Sequence, residues 1–197
     1  MKRVVAAFDF DGTLTCSDTL IPFMRHALGD VRFCRVVSRN AFWLSLYLLG
    51  LYPNWKAKQR LFASCFAGWT QADFEETGRR FASARPVRFR PGALEALRRH
   101  LLEGNRVYII SASMQAWVRP LLGDYSDLLT FLTTEPEVRA GRLTGRFLSA
   151  NCYGAEKVRR LLSAEPRRED YILYAYGDSR GDKELLAFAD HPFYRSF

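Results

Sequence analysis

Several features that define other protein classes are missing from this sequence. Its four cysteines are scattered and none lies in a CxxC pair, which argues against a zinc site and favours reduced thiols in a cytosolic protein. Low-complexity tracts and internal repeats are absent. No run of about 20 apolar residues is present to span a membrane, and the first apolar stretch is too short for a secretory signal. We therefore expect a cytoplasmic protein.

Acidic residues are scarce relative to basic ones. The sequence has 21 Asp and Glu against 29 Lys and Arg, which gives a formal net charge of +8. This excess favours anionic partners, namely phosphates, acidic lipid surfaces or nucleic acid. A length of 197 residues with 48% hydrophobic content is enough for one folded domain, or for a core with a small insertion.

The most informative segment follows an apolar run at residues 4–8, which predicts a short buried strand. Directly after it come Asp9 and Asp11, two residues apart, and then Gly12. Carboxylates at the carboxyl end of a parallel strand lie where open α/β sheets bind ligands. Two neighbouring anions repel each other unless a cation or a proton lies between them, and Mg²⁺ prefers oxygen ligands. The segment therefore indicates a metal-assisted phosphate site with a carboxylate nucleophile, although DxDG also occurs in turns and calcium loops.

Strands and helices are predicted to alternate along most of the chain. Further strands are expected at 106–110, 130–134 and 171–176, a hairpin at 135–147, and helices at 92–103, 115–122, 155–162 and 182–187. Leu94, Leu97, Leu101 and Leu102 are expected on one side of the first of these helices. The pattern predicts an α/β protein with a Rossmann-like, doubly wound parallel sheet and a small β-hairpin.

A long helical block interrupts this alternation between the first two strands. It runs from about residue 19 to 85, with breaks at 29–30, 53–54 and 68–70, and Thr70 is expected to cap a helix. We interpret residues 19–86 as an α-helical cap inserted after the first strand. Residues 1–18 and 87–197 would then form the catalytic core.

Four segments resemble, in order, the four motifs of the haloacid dehalogenase superfamily. They are Asp9-Phe10-Asp11-Gly12-Thr13, the strand ending in Ser111, Lys157 at the start of a helix, and Gly177-Asp178-Ser179-Arg180-Gly181-Asp182 after the last predicted strand. The hairpin and residues 151–157 resemble subfamily IB, which includes phosphoserine phosphatases and phosphatidylglycerophosphatase C. The resemblance spans essentially the whole chain and implies the same capped Rossmann-like arrangement.

The resemblance implies that Asp9 is a nucleophile and that Asp11 is a general acid and base. Asp9 would attack phosphorus to form an aspartyl-phosphate, while Asp11 would protonate the leaving oxygen and then activate water. The implied cofactor is Mg²⁺, held by Asp9, Asp178 and the backbone carbonyl of Asp11.

The remaining motif residues would bind phosphate or support those that do. Ser111, the following Ala112 and Ser113, and Lys157 would contact the phosphate, the middle two through backbone N–H groups. An alternative role for Ser111 is to cap the next helix. Asp182 would hold a metal-bound water or orient Lys157, unless it is only a favourable charge at a helix N-terminus.

The predicted cap carries most of the excess positive charge. Residues 19–86 contain ten Lys and Arg against four Asp and Glu, and no acidic residue lies between Val31 and Gln71. Basic residues flank an aromatic-rich apolar stretch at 41–52. Such a stretch suits an interfacial membrane segment at an anionic surface, at the inner face of the membrane. The alternative is an ordinary buried helix of the cap.

The expected function is hydrolysis of a phosphomonoester substrate through an aspartyl-phosphate. The basic cap favours a lipid phosphate such as phosphatidylglycerophosphate, and the rival is a soluble metabolite such as phosphoserine. Asp18 is the acid nearest the first motif that could recognise an amino group. A catalytically silent membrane-surface module is a non-enzyme alternative. No nucleic-acid partner is expected, because no nucleic-acid-binding motif accompanies the positive charge.

Overall fold

The computed structural model describes residues 2–84 and 87–197. Its centre is a five-stranded sheet of β1 (Arg3–Phe8), β2 (Arg106–Ser111), β3 (Thr130–Thr133), β6 (Tyr171–Gly177) and β7 (His191–Tyr194), in the order β3-β2-β1-β6-β7. Every pair of neighbouring strands is parallel. Strands β4 (Pro136–Arg139) and β5 (Arg142–Phe147) form a separate antiparallel hairpin. The predicted fold class, a Rossmann-like parallel sheet with a small hairpin, is confirmed.

Eight α-helices complete the part of the chain that the structure describes. Four lie between β1 and β2: α1 (Leu20–Leu28), α2 (Asp30–Leu48), α3 (Asn54–Phe66) and α4 (Gln71–Ser83). The others are α5 (Pro91–Leu102), α6 (Gln115–Leu121), α7 (Ala155–Ala164) and α8 (Lys183–Phe188). The predicted end of the helical block, at residues 85 and 86, lies outside the described residues. No helix within the described ranges is both long and apolar enough to cross a membrane.

The sheet is covered on both faces because its central strands carry apolar side chains in both directions. In β1, Val5 and Ala7 pack into one hydrophobic cluster with residues of α7 and α8, whereas Ala6 and Phe8 pack into the other. The second cluster is larger because it continues into the four helices between β1 and β2. Burial of alternate residues on opposite sides is expected for a parallel strand between two helical layers.

The position of β1 determines where a site can form. Phe8, its last residue, is paired with Ile109 of β2 on one side and with Tyr176 of β6 on the other. The chain leaves β1 towards β2 and later returns to add β6 on the opposite side, so β1 lies where the strand order reverses. Ligands bind beyond the carboxyl ends of strands at such a point, and Asp9 is the first residue beyond β1.

Some local details differ from the sequence predictions. Strand β7 was not predicted; it is short, lies at the sheet edge and contains Pro192, a residue tolerated mainly in edge strands. Leu102 is exposed, whereas Leu97 of the same helix is buried. The predicted cap at Thr70 is confirmed, since its side chain accepts a hydrogen bond from the Asp73 N–H at 3.0 Å.

The stretch at 41–52 is not a buried helix. None of its residues is buried, and α2 as a whole buries only Phe33 and Asn40 among its 19 residues. The interpretation of this stretch as a packed helix of the cap is therefore wrong. Four of its apolar side chains, Trp43, Leu44, Leu46 and Tyr52, are half-buried, and the others are exposed.

Close packing of α4 against α6 predicts a strong effect of a small substitution. A Cβ atom at Gly78 would lie 1.8 Å from the carbonyl oxygen of Ala116. We expect Gly78→Ala to lower the free energy of unfolding by about 2 kcal/mol or more, because the steric cost exceeds the gain of about 1 kcal/mol in helix propensity. Urea unfolding of the parent and variant proteins measures this difference in the free energy of unfolding. Ser83→Ala, at an exposed position of the same helix, should change stability by less than about 0.5 kcal/mol, and a stabilised Gly78→Ala protein would contradict this packing.

Candidate active site

A buried lysine connects two of the motif aspartates at the carboxyl edge of the sheet. The Lys157 Nζ donates hydrogen bonds to Asp9 Oδ1 and to Asp182 Oδ1, both at 2.6 Å. All three side chains are almost fully buried. Lys157 reaches them from the first turn of α7, and Asp182 from the turn after β6. The contact with Asp182 holds the Lys157 ammonium group in place beside Asp9.

Burial and the attraction between opposite charges shift the pKa values of these three groups in opposite directions. Burial raises the pKa of Asp9 to about 7, although Lys157 acts to lower it. Burial alone would depress the pKa of Lys157, but Asp9 and Asp182 outweigh it and raise that pKa. Burial also acts to raise the pKa of Asp182, but Lys157 outweighs it and the pKa is lowered. The lysine is therefore held in its charged form beside Asp9.

Three carboxylates converge on one point and can hold a divalent cation. Asp9, Asp178 and Asp182 each offer an oxygen, and these oxygens lie within 4.8 Å of one another. Thr13 Oγ1 donates to Asp178 Oδ1 at 3.1 Å. Gly12 has a φ of +82°, and a Cβ there would lie 2.5 Å from Asp178 Oδ2, so this position requires glycine. A set of hard oxygen donors with net negative charge fits Mg²⁺.

The Asp11 carboxylate belongs to a separate hydrogen-bond network. Its Oδ1 accepts from the Thr19 N–H at 2.8 Å and from Thr19 Oγ1 at 2.7 Å, and its Oδ2 accepts from Ser113 Oγ. Trp117 Nε1 in turn donates to Thr19 Oγ1 at 3.0 Å. Burial, followed by repulsion from Asp18, raises the pKa of Asp11. The network fixes this carboxyl group beside Asp9 but outside the group of three carboxylates.

The segment after β2 differs in part from the prediction. Ser111 is buried, and its Oγ accepts from the Ser113 N–H at 3.0 Å, so that N–H faces Ser111 and not an open anion site. Ser111 does not cap α6, whose N-cap is Met114. The Ala112 carbonyl accepts a hydrogen bond from Lys58 Nζ at 2.8 Å.

Lys58 is a site residue that the sequence analysis did not select. It comes from α3, one of the helices between β1 and β2, and lines the same cavity as Asp9 and Asp11. Burial lowers its pKa, although Asp11 and Asp18 act to raise it. The basic stretch in which it lies was the available signal, but spacing alone did not show which basic side chain turns inward.

One cavity of about 610 Å³ is lined by all the predicted site residues except Ser113 and Asp182. Its base is polar and is lined by Asp9, Asp11, Ser111, Ala112, Lys157 and Asp178. Its opposite wall comes from the helices between β1 and β2 and is largely apolar, with Leu20, Ile21, Leu44, Tyr47, Ala57 and Leu61. Asp182 lies directly behind, where it contacts Lys157. The cavity can therefore accept an anionic group at the base and an apolar group above it.

Comparisons with known proteins identify the family and agree with the fold. Residues 6–187 match the family model of haloacid dehalogenase-like hydrolases. The chain is 34% identical over 205 residues to Protein CicA of Caulobacter vibrioides (strain NA1000 / CB15N), an alignment that covers 100% of this chain and 87% of the relative.

Solved structures share the fold at lower sequence identity. A protein with unknown function from Bordetella pertussis Tohama I superposes with a TM-score of 0.80 at 24% identity, covering 98% of this chain and 89% of that one. A phosphoserine phosphatase, solved as a phospho-aspartyl intermediate analogue, gives a TM-score of 0.59 at 19% identity, with 96% and 84% coverage. The chain belongs to the haloacid dehalogenase-like hydrolase family.

Proposed function

We propose that this protein is a Mg²⁺-dependent phosphomonoester hydrolase that acts through an aspartyl-phosphate at Asp9. The observation that carries the proposal is the contact of Lys157 with Asp9 at 2.6 Å, since Asp9 also belongs to a group of three converging carboxylates. A phosphoryl group bound there would meet a nucleophile, a fixed positive charge and a cation site together. Phosphoryl transfer depends mainly on such positioning and charge stabilisation.

In the first step, a carboxylate oxygen of Asp9 attacks phosphorus and the ester P–O bond breaks. Asp11 donates a proton to the departing alcohol oxygen, so the alcohol leaves neutral. The hydrogen bonds from Thr19 and Ser113 hold the Asp11 carboxyl group in one orientation during this transfer. Lys157 stabilises the negative charge that the phosphoryl oxygens carry during the transfer.

In the second step, water hydrolyses the aspartyl-phosphate. The carboxylate of Asp11 now accepts a proton from water, and the water oxygen attacks phosphorus. The bond between phosphorus and the Asp9 oxygen breaks, which releases inorganic phosphate and regenerates the Asp9 carboxylate. Ser111 and the backbone around Ala112 line the cavity beside Asp9 and would bind the phosphate oxygens.

The cation would be held by Asp9, Asp178 and the backbone carbonyl of Asp11, with Asp182 supporting the site through Lys157. When bound, Mg²⁺ would neutralise phosphate charge and favour ionised Asp9, whose pKa is otherwise raised by burial.

The substrate we favour is a lipid phosphate such as phosphatidylglycerophosphate. We interpret residues 19–86 as a cap over a core formed by residues 1–18 and 87–197. The cap supplies the apolar wall of the cavity, including Leu44 and Tyr47, opposite the carboxylates. An apolar wall above a phosphate site suits a phosphomonoester with a hydrocarbon portion better than a fully polar metabolite.

A soluble metabolite such as phosphoserine is the second candidate. Lys58 and Asp18 both line the cavity, so a basic and an acidic group are available for a carboxylate and an amine of the same substrate. Similarity to structures of phosphoserine phosphatases agrees with this candidate but, at 18–19% identity, extends to the fold alone.

Phosphate release from a substrate panel separates these functions. The panel contains phosphatidylglycerophosphate in micelles, lysophosphatidate, phosphoserine and p-nitrophenyl phosphate, each with Mg²⁺ and with EDTA. We expect Mg²⁺-dependent release with preference for the lipid substrates. Preference for phosphoserine would retain the mechanism and change the substrate class. No Mg²⁺-dependent release from any compound would favour the silent membrane-surface module.

Lys58 offers a test of how the cap binds the substrate. Its ammonium group lies in the cavity with Asp9 and donates to the Ala112 carbonyl at 2.8 Å. We expect Lys58→Met to raise KM by about tenfold to a hundredfold with a smaller change in kcat, as expected for the loss of a charged hydrogen bond to substrate. Steady-state kinetics on p-nitrophenyl phosphate and on the preferred substrate measure KM and kcat separately.

Lys56→Met is the matched control, because it removes the same charge from an exposed position of the same helix. Its KM for soluble esters should remain that of the parent protein. A Lys58→Met protein with an unchanged KM and a lowered melting temperature would contradict a substrate-binding role. Lys58 would then serve only to attach α3 to the core.

A further inference from the structure

The second half of α2 and the start of α3 form an exposed apolar surface, here called the α2–α3 patch. It consists of Phe42, Leu48, Leu49, Leu51 and Trp55. The three leucines are 71–81% exposed, so most of their apolar surface faces water. Single exposed leucines are common in soluble proteins, but three within four residues are a cluster. Exposed apolar groups clustered on one surface in this way mark a binding surface for a protein or a membrane.

Basic side chains lie directly beside the aromatic rings of this region. The Arg60 guanidinium is 4.5 Å from the centroid of the Trp43 ring, and Lys56 Nζ is 5.4 Å from that of Trp55. Arg39 is exposed one helical turn before Phe42 and Trp43. The sequence from Val31 to Gln71 has no acidic residue to neutralise these charges. The patch is therefore apolar at its centre and positive at its edge.

The patch continues into the cavity that contains Asp9. Leu44 and Tyr47 lie on α2 between Phe42 and Leu48, and both line that cavity. Asn54, next to Trp55, lines it as well. A surface that covered the patch would therefore lie against the mouth of the active site.

We propose that the α2–α3 patch docks this protein on an anionic lipid bilayer. Leucine and tryptophan side chains would enter the interface between headgroups and acyl chains, and Lys56 and Arg60 would contact anionic headgroups. A second copy of this chain fits less well, since a symmetric contact would place the two positive edges against each other. Docking does not depend on the proposed function, but its consequence, delivery of a lipid phosphate to Asp9, does.

Co-sedimentation of the full chain with vesicles tests the proposal. The vesicles contain phosphatidylcholine alone or phosphatidylcholine with phosphatidylglycerol, and we expect binding to the anionic ones. Replacement of Leu48, Leu49 and Leu51 by serine together should weaken that binding at least about tenfold. The charge variant Lys56→Gln with Arg60→Gln should weaken it by roughly tenfold on anionic vesicles, and less in high salt.

A matched control replaces Leu102, Leu128 and Leu148 by serine. These leucines are 65–77% exposed and lie outside the α2–α3 patch, so this variant should bind like the parent protein. Equal loss of binding in both leucine variants would overturn the proposal, as would a parent protein that binds no vesicles. Concentration-dependent dimerisation in light scattering, abolished by the Leu48, Leu49 and Leu51 variant, would also overturn it in favour of a second copy.

Hydrolysis of p-nitrophenyl phosphate by the same proteins separates docking from catalysis. All of the patch variants should retain the parent activity on this soluble ester, which also shows that they are folded. Vesicle binding without activity on any ester would leave docking intact and contradict the proposed function. Activity on p-nitrophenyl phosphate without vesicle binding would leave the proposed function intact and contradict docking. If the leucine variant fails to fold, the Lys56 and Arg60 variant provides the same test.

Discussion

Asp9→Asn should abolish phosphate release while leaving the protein folded. We expect kcat/KM to fall at least about a thousandfold on every substrate, because a carboxamide lacks the charge and nucleophilicity of a carboxylate. The side-chain oxygen of asparagine can still accept the hydrogen bond from Lys157. Since burial raises the pKa of Asp9 to about 7, loss of its charge should leave the melting temperature equal or higher.

The control for this prediction is Asp124→Asn, an exposed acidic position that does not line the cavity. Phosphate release and a thermal melt are measured for both variants. An Asp9→Asn protein that retains activity within about tenfold of the parent would show that another group attacks phosphorus. Loss of activity together with a large drop in melting temperature would show that Asp9 has a structural role instead.

Lys157→Met should remove activity and also destabilise the fold. The ammonium group of Lys157 is almost fully buried and is 2.6 Å from both Asp9 and Asp182, so the substitution leaves two buried carboxylates without a partner. Loss of one member of a buried ion pair costs about 3–5 kcal/mol. Urea unfolding measures the loss of stability, and phosphate release measures the loss of activity.

A second variant separates the two effects of Lys157. Combining Lys157→Met with Asp182→Asn removes one of the unpaired charges, so part of the lost stability should return. Activity should not return, because the positive charge beside Asp9 is still absent. If the double variant is no more stable than Lys157→Met, the destabilisation does not arise from unpaired carboxylates. If it recovers activity, Lys157 does not act on the phosphoryl group.

The sequence was informative about the site because its key residues come directly after strands. Asp9 follows β1, Ser111 ends β2 and Asp178 follows β6, and parallel strands bring these ends to one edge of the sheet. Lys157 is different, because a lone lysine in a helix is ordinarily exposed. Only the resemblance to a known family indicated that it turns inward.

The less predictable parts depend on packing between distant segments. Lys56 and Lys58 are two residues apart on α3, yet Lys56 is exposed and Lys58 enters the cavity. Local sequence does not determine how α3 is rotated relative to the core, so their different roles could not be predicted. The exposure of Phe42, Leu48, Leu49 and Leu51 could not be predicted either, because the apolar sequence alone does not show which of these side chains pack against other helices.

The most direct test of the mechanism is to trap the covalent intermediate during turnover. Rapid mixing with substrate and Mg²⁺, followed by borohydride, reduces an aspartyl-phosphate to homoserine, which peptide mass spectrometry locates in the chain. We expect homoserine at position 9, present only when substrate is added and absent in Asp9→Asn. Reduction at Asp11 or Asp178, or phosphate release with no modified aspartate, would contradict an Asp9 intermediate.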